Sequence, residues 1–410
     1  MLDSHVTVQN SQVMAALALG AMMLAGCPGD DGSAEGGTDA TTTPTTGSAD
    51  ATEGDETATS PTGCGVTPGP WSAPQWDDNA AAALAIRDQL DMLTGDATMR
   101  GAETGAVMVS TLADLTAVWD GDPSLAAVAN PGYVPVIEAA FDEFLQVLAA
   151  GEQDLVDDQG IWTPGMEGGV WAKDTRGINE GGIEVRQLID KGGYSGGITY
   201  AYALGLTEGD LTPATIDAIA AAWGNNAALD PEGELTDAAG YSLSMGFHAS
   251  MASALTDAKE YAEDEACTVE RDEALVTFFR QWEQVMLARL VFYGNRAEGR
   301  LLTAASDTEL AAVLHDLAEG LGVAVGYWGL PEPTAGPLAG AGRIITDDEI
   351  SQVADAFGLD LGELGASTTG TLLESLPNLE SAVTSAEGVV MDVYGVDAAT
   401  IATYAMPVPG

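Results

Sequence analysis

The chain has 410 residues and sets 63 Asp and Glu against 13 Lys and Arg, for a formal net charge of −50, with Lys173, Lys191 and Lys259 as its lysines. Such an acidic chain repels phosphate backbones and anionic lipid, which excludes nucleic acid as a partner. The acidity fits either cation binding or a salty habitat where screening weakens self-repulsion, and the habitat is the plainer reading because no Asp-x-Asp-x-Asp-Gly loop with a distal Glu gathers the carboxylates.

The first predicted element is an apolar run from Val13 to Gly26 that closes on Leu24-Ala25-Gly26-Cys27. It is short for a spanning helix, which needs roughly 20 apolar residues, and no later run reads as long enough. Instead it resembles a bacterial lipoprotein signal, although Met1 to Gln12 lacks the Lys or Arg of a positive n-region. The resemblance implies that residues 1–26 are a signal peptide, that Cys27 is lipidated, and that the protein is tied to the outer membrane, facing the periplasm or the cell surface. Residues 27–63 are rich in Gly, Ser and Thr, and their charges, from Asp30 to Glu56, are all acidic. Such a segment stays disordered and reaches roughly 35 Å as a tether; glycosylation is a rival explanation of its Thr and Ser content.

Residues 64–410 are long enough for one large domain or two packed subdomains. With Cys27 assigned to lipid, Cys64 and Cys267 remain as an even pair in an oxidising compartment and are expected to form a disulfide at the base of the tether. Beyond residue 76 the apolar period is near 3.6, which predicts an all-α helical bundle, or two packed helical subdomains. Helices are expected at 77–93, 135–150, 212–223, 346–357 and, more coarsely, at 184–205, 243–262, 271–295, 308–327 and 377–394. Pro135 and Thr212-Pro213 mark starts, Thr346-x-x-Glu349 reads as a capping box, and Gly95, Gly151 and Gly224 mark stops. Val107 to Thr111 reads as strand or extended loop, and the Gly-rich stretch 159–182, with Trp162, Met166, Trp171 and Lys173, as a long covering loop.

Four places could carry chemistry. On helix 308–327, His315 and Glu319 lie one turn apart, opposite the stripe of Leu310, Val313, Leu314, Leu317 and Leu321. Their neighbours Ala311, Ala312, Ala318 and Gly322 are small, which predicts a second element packed against that face, with the pair as metal ligands, base and orienter, or simply a hydrogen-bonded pair. Arg289 falls within the apolar stripe of helix 271–295 and needs carbonyls or a carboxylate, Glu319 or another bundle acid, unless it serves an anion. Gly192, Gly193, Gly196 and Gly197 weaken helix 184–205 by about 1 kcal/mol each. Either a close approach or kink beside a pocket offsets this, with Lys191 and Tyr194 facing the pocket, or a glycine turn separates two helices. The fourth place is Gly246-Phe247-His248.

Gly-x-His-x-x there resembles the Gly-x-His-x-x-Glu motif of imelysin-type lipoproteins, with Met251 in place of the Glu. Three further segments are similar to a family of bacterial lipoproteins that accompany imelysin-type proteins: Gln187-Leu188-Ile189-Asp190-Lys191-Gly192, Trp282-Glu283-Gln284-Val285-Met286-Leu287-Ala288-Arg289 with Phe292-Tyr293 and Asn295, and His315-Asp316-Leu317-Ala318-Glu319-Gly320. The resemblance spans 187–322 and lacks the family's paired-histidine segment near Trp223-Gly224-Asn225. It implies an α-helical, lipid-anchored envelope protein associated with uptake of iron or another nutrient through an envelope partner.

The leading expectation is a non-enzymatic binding or accessory protein with a ligand site near Lys191, Tyr194, Arg289, His315 and Glu319. A metal-dependent hydrolase or peptidase with His248, His315 and Glu319 as ligands is the alternative, and a purely structural surface protein the third.

Overall fold

Capping chemistry sets where several helices begin. Thr346 accepts a hydrogen bond from the Glu349 N–H at 3.3 Å while the Glu349 carboxylate accepts from the Thr346 N–H at 2.7 Å, the reciprocal pair of a capping box. Thr212 accepts from the Thr215 N–H at 3.2 Å, with Pro213 as first helical residue and Gly224, at φ 116°, as the stop.

The computed structural model describes residues 64–150, 169–170, 176–179, 181–231, 237–361 and 372–405. The segments read as signal and tether, with Cys27, lie outside them, as do Trp162, Met166, Trp171 and Lys173. In chain order the helices are α1 (Trp76–Asn79), α2 (Ala81–Thr94), α3 (Met99–Glu103), α4 (Leu112–Trp119), α5 (Leu125–Val128) and α6 (Val134–Ala150). A two-stranded antiparallel pair, β1 (Gly169–Val170) with β2 (Gly177–Ile178), precedes α7 (Val185–Gly192), a wide turn Gly193–Gly197 and α8 (Thr199–Leu206). Then come α9 (Pro213–Trp223), α10 (Ala238–Ser244), α11 (His248–Tyr261), α12 (Thr268–Leu301), α13 (Asp307–Tyr327), α14 (Asp347–Ala356), α15 (Leu372–Ser375), α16 (Leu379–Tyr394) and α17 (Ala398–Tyr404). The protein is all-α, and the described residues belong to one unit from Ser60 onward rather than to two subdomains.

The structure differs from the sequence expectations in several places. The helix predicted over 77–93 is split at Ala80, whereas residues 107–111, read as strand or extended loop, are loop. Gly246, at φ 80°, turns the chain between α10 and α11, so the helix expected from 243 begins at His248. Thr308–Tyr327 is, contrary to the sequence reading, long and apolar enough to cross a membrane by length and composition, but 89% of that stretch is buried inside the fold. It is a core helix, paired with α12 across the short connection 302–306.

Packing around α12 is aromatic. Phe278, Phe279 and Trp282 are fully buried, and the last two meet Tyr200 of α8 edge-on, at 5.3 Å from Phe279 and 5.1 Å from Trp282. The expected disulfide between Cys64 and Cys267 ties the start of the folded region to the turn before α12. Nearby, Lys259 of α11 lies over the Trp71 ring at 4.3 Å, donates to the Ser72 carbonyl and pairs with Asp217 of α9 at 2.5 Å, so the first residues of the fold are held at both ends.

Candidate functional site

Small residues on α13 let α7 come close. A Cβ added at Gly322 would lie 2.6 Å from the Gln187 carbonyl, and one at Gly326 would lie 2.5 Å from the Gly192 carbonyl. The face of α13 opposite its leucine stripe is therefore covered, as its run of small residues predicts, and Ala311 and Ala318 are fully buried on it. His315 and Glu319 sit in that seam.

His315 Nδ1 is 2.7 Å from Glu184 Oε2, just ahead of α7, and its Nε2 is 3.6 Å from Glu319 Oε2. Glu184 also takes Arg186 at 3.0 Å, and Arg186 Nε reaches Glu103 of α3 at 2.9 Å. Glu319 is shared: Arg296 of α12 donates to it at 3.1 Å and Lys191 of α7 lies 3.6 Å away, itself paired with Asp190 at 3.0 Å. On the solvent side Asp316 holds Arg296 at 2.5 Å and Arg300 at 3.0 Å. A chain of alternating charge thus runs through the interior from α3 to the outer end of α12.

The shifts follow from this geometry. Burial works to raise the Glu184 carboxyl, but the charge and hydrogen bond of His315, with Arg186, outweigh it and hold it at about 2. Burial likewise opposes ionisation of Glu319, and His315, Lys191, Arg296 and Arg289 outweigh it, so its carboxyl is lowered. Glu103, for which burial wins over Arg186, is pushed up to about 7. The Lys191 ammonium is disfavoured by burial, yet Asp190, Tyr241 and Glu319 raise it well above its ordinary value.

The expected carboxylate partner of Arg289 is not found: among the described residues no acid lies within ion-pair distance of it. Its guanidinium is instead stacked among Tyr241 of α10 at 4.3 Å, Phe292 at 4.2 Å and Tyr293 at 4.8 Å, and Nη2 donates to the Tyr293 hydroxyl at 3.3 Å. Glu319 is engaged by Arg296, Lys191 and His315 at 3.1–3.6 Å and acts on Arg289 only from farther away. Arg289 and Lys191 remain neighbours through their shared interactions with Tyr241, Tyr293 and Glu319.

Tyr194 does not join this group. It lies in the wide turn after α7, whose geometry sends its hydroxyl to Asp91 of α2. The turn itself combines the two expected readings: it separates α7 from α8, and its glycines admit close neighbours, with a Cβ at Gly193 falling 2.8 Å from Leu90 and one at Gly197 falling 2.5 Å from Tyr133. Ser195, fully buried there, donates to the Gly192 and Val323 carbonyls at 3.0 and 2.9 Å.

His248 is also elsewhere. Its ring stacks on Trp223 at 5.0 Å and its Nε2 is 3.0 Å from the Asn225 side-chain amide, while Met251, where the motif has Glu, is fully buried. The expected ligand set of His248, His315 and Glu319 is therefore not assembled. Among the described residues no group of three or more His, Cys, Asp and Glu side chains is arranged to hold a metal ion.

Sequence reasoning missed Arg186, Glu103, Arg296, Arg300 and Asp316. The signal for two of them was available: Arg296 and Arg300 stand seven and eleven residues after Arg289, on the same face of α12. What these elements define is a helical bundle with a buried, charge-alternating seam between α7, α12 and α13. The chain matches no protein-family model, and neither a curated protein nor a solved structure is similar to it.

Proposed function

We propose that this protein is a lipid-anchored protein of the bacterial outer membrane that binds a small solute at the seam of α7, α12 and α13 without transforming it, as an accessory to uptake of iron or another nutrient. The observation that carries the reading is the use of scarce cations. Five of the 13 basic residues in a chain of net charge −50, namely Arg186, Lys191, Arg289, Arg296 and Arg300, gather at this one seam. Buried ion pairs add little stability over apolar packing of the same volume, so their concentration fits recognition better than stability. Binding is favoured over metal-dependent hydrolysis because among the described residues no group of three or more His, Cys, Asp and Glu side chains is arranged around His315 to hold a metal ion. The signal-like run ending at Cys27, the acidic tether and the Cys64–Cys267 disulfide support the envelope location.

Two measurements test it. Metabolic labelling with palmitate should mark the wild-type protein and not Cys27→Ser; equal labelling removes the anchor. Native mass spectrometry of protein purified from its own membrane, with calorimetric titration of iron, zinc and calcium against wild type and His315→Ala, should reveal a bound solute. Absence of any co-purifying or titratable solute would sink the binding role.

A further inference from the structure

We infer that Arg289 is the anchor for the oxyanion group, carboxylate or phosphate, of a small solute. The inference rests on the binding function proposed above and gives its ligand class.

A guanidinium carries five N–H donors and keeps its charge at any physiological pH. At Arg289 the hydroxyl of Tyr293 takes one of them, from Nη2, whereas Nε and Nη1 meet no acceptor among the described residues although the residue is only 7% exposed. The rings of Tyr241, Phe292 and Tyr293 compensate the charge, but they do not supply the oxygen acceptors that Nε and Nη1 lack. A planar cation held among aromatic rings, with two N–H groups left without an oxygen acceptor, is an arrangement that pairs with a planar or tetrahedral oxyanion.

The other basic groups of the seam make the contrast. Arg186 has Glu103 and Glu184, Arg296 has Asp316 and Glu319, Arg300 has Asp316, and Lys191 has Asp190. Among the described residues Arg289 has no carboxylate within ion-pair distance, and a methionine would fill the same apolar site without leaving buried donors unsatisfied. An external anion supplies the missing partner.

Other basic side chains lie between Arg289 and the outer end of α12. The side chains of Arg300, Arg296 and Arg289 descend one face of α12, the first two 37% and 24% exposed, and Arg296 also stacks on the Phe292 and Tyr293 rings, at 5.2 and 5.0 Å. Arg300, with Thr303, Glu309 and Ala312, lines a surface depression of about 160 Å³ at the outer end.

The test is isothermal titration of the full-length protein in detergent with acetate, succinate and inorganic phosphate, against chloride at matched ionic strength. Saturable binding of at least one oxyanion and none of chloride is expected, and the preference between succinate and phosphate assigns the group. Arg289→Gln should weaken that binding at least about tenfold, Arg289→Lys should retain part of it, and Arg271→Gln, at the start of α12, should leave it unchanged. Circular dichroism establishes that each variant is folded; if Arg289→Gln is not, partial loss of binding in Arg289→Lys supports the anchor in its place. Equal affinity in folded Arg289→Gln, or in folded Arg289→Lys where the Gln variant does not fold, overturns the anchor. If cations or neutral solutes bind and no oxyanion does, the anchor fails while the binding function stands; if no solute of any class binds, both fail.

Discussion

Glu283 stands at mid-length on α12 with no exposure, and its carboxylate accepts from the Ile344 and Ile345 N–H groups at 2.9 and 2.7 Å and from the Tyr394 hydroxyl at 2.7 Å. Burial nevertheless dominates those bonds and lifts its carboxyl from 4.5 to about 7. A folded-state value above the unfolded one gives stability that is complete below pH 4.5 and lost as pH rises through 7, on the order of 3 kcal/mol for this one group. Glu103 adds to the same limb. Glu184, lowered to about 2, acts in the opposite sense, and its contribution is lost as pH falls from 4.5 toward 2. Urea unfolding between pH 4.5 and 8 should therefore show stability declining with pH, and Glu283→Gln should flatten much of that decline. An unchanged slope in the variant would remove Glu283 as its source. Neither limb is readable from residue types, because the environment of Glu283 is built by residues about 60 to 110 positions away.

At the scale of elements, close packing of α7 on α13 rests on glycine. Gly326→Ala puts a Cβ against the Gly192 carbonyl, which is backbone and cannot turn aside, so the variant should lose about 1–3 kcal/mol. Gly388, inside α16, has nothing within 4 Å of an added Cβ, and Gly388→Ala should gain about 0.5–1 kcal/mol through helix propensity alone. Thermal melts of the two variants should move in opposite directions, and a shift of the same sign in both would defeat the packing argument. The small residues around His315 announced the approach of a partner helix; they did not announce that the partner is α7 or that Glu184 meets the imidazole. For Arg289 the sequence showed that a charge inside an apolar stripe needs compensation, and the structure supplies aromatic faces instead of the expected carboxylate.

For the molecule as a whole, the Cys64–Cys267 disulfide closes a loop of 203 residues' separation. Restricting that loop in the unfolded chain is worth about 2–5 kcal/mol, so Cys64→Ser should lower the urea midpoint accordingly, and an unchanged midpoint would show that the Trp71 and Lys259 contacts suffice alone. The clamp sits where the acidic N-terminal stretch meets the fold, so the folded region keeps its first residues in place whatever the preceding chain does.

The amino-acid sequence determined the all-α class, the long helices, the capping box at Thr346 and the Pro213 start, and it led to the expected pairing of Cys64 with Cys267. Each of these depends on periodicity or hydrogen bonds within four residues, or on counting. The tertiary structure alone decided that Tyr194 turns to Asp91, that His248 stacks on Trp223, and that His315 bridges Glu184 and Glu319. Those pairings join residues up to 131 positions apart and follow from how closely glycine and alanine let helices approach, a property of packed surfaces that no local pattern encodes.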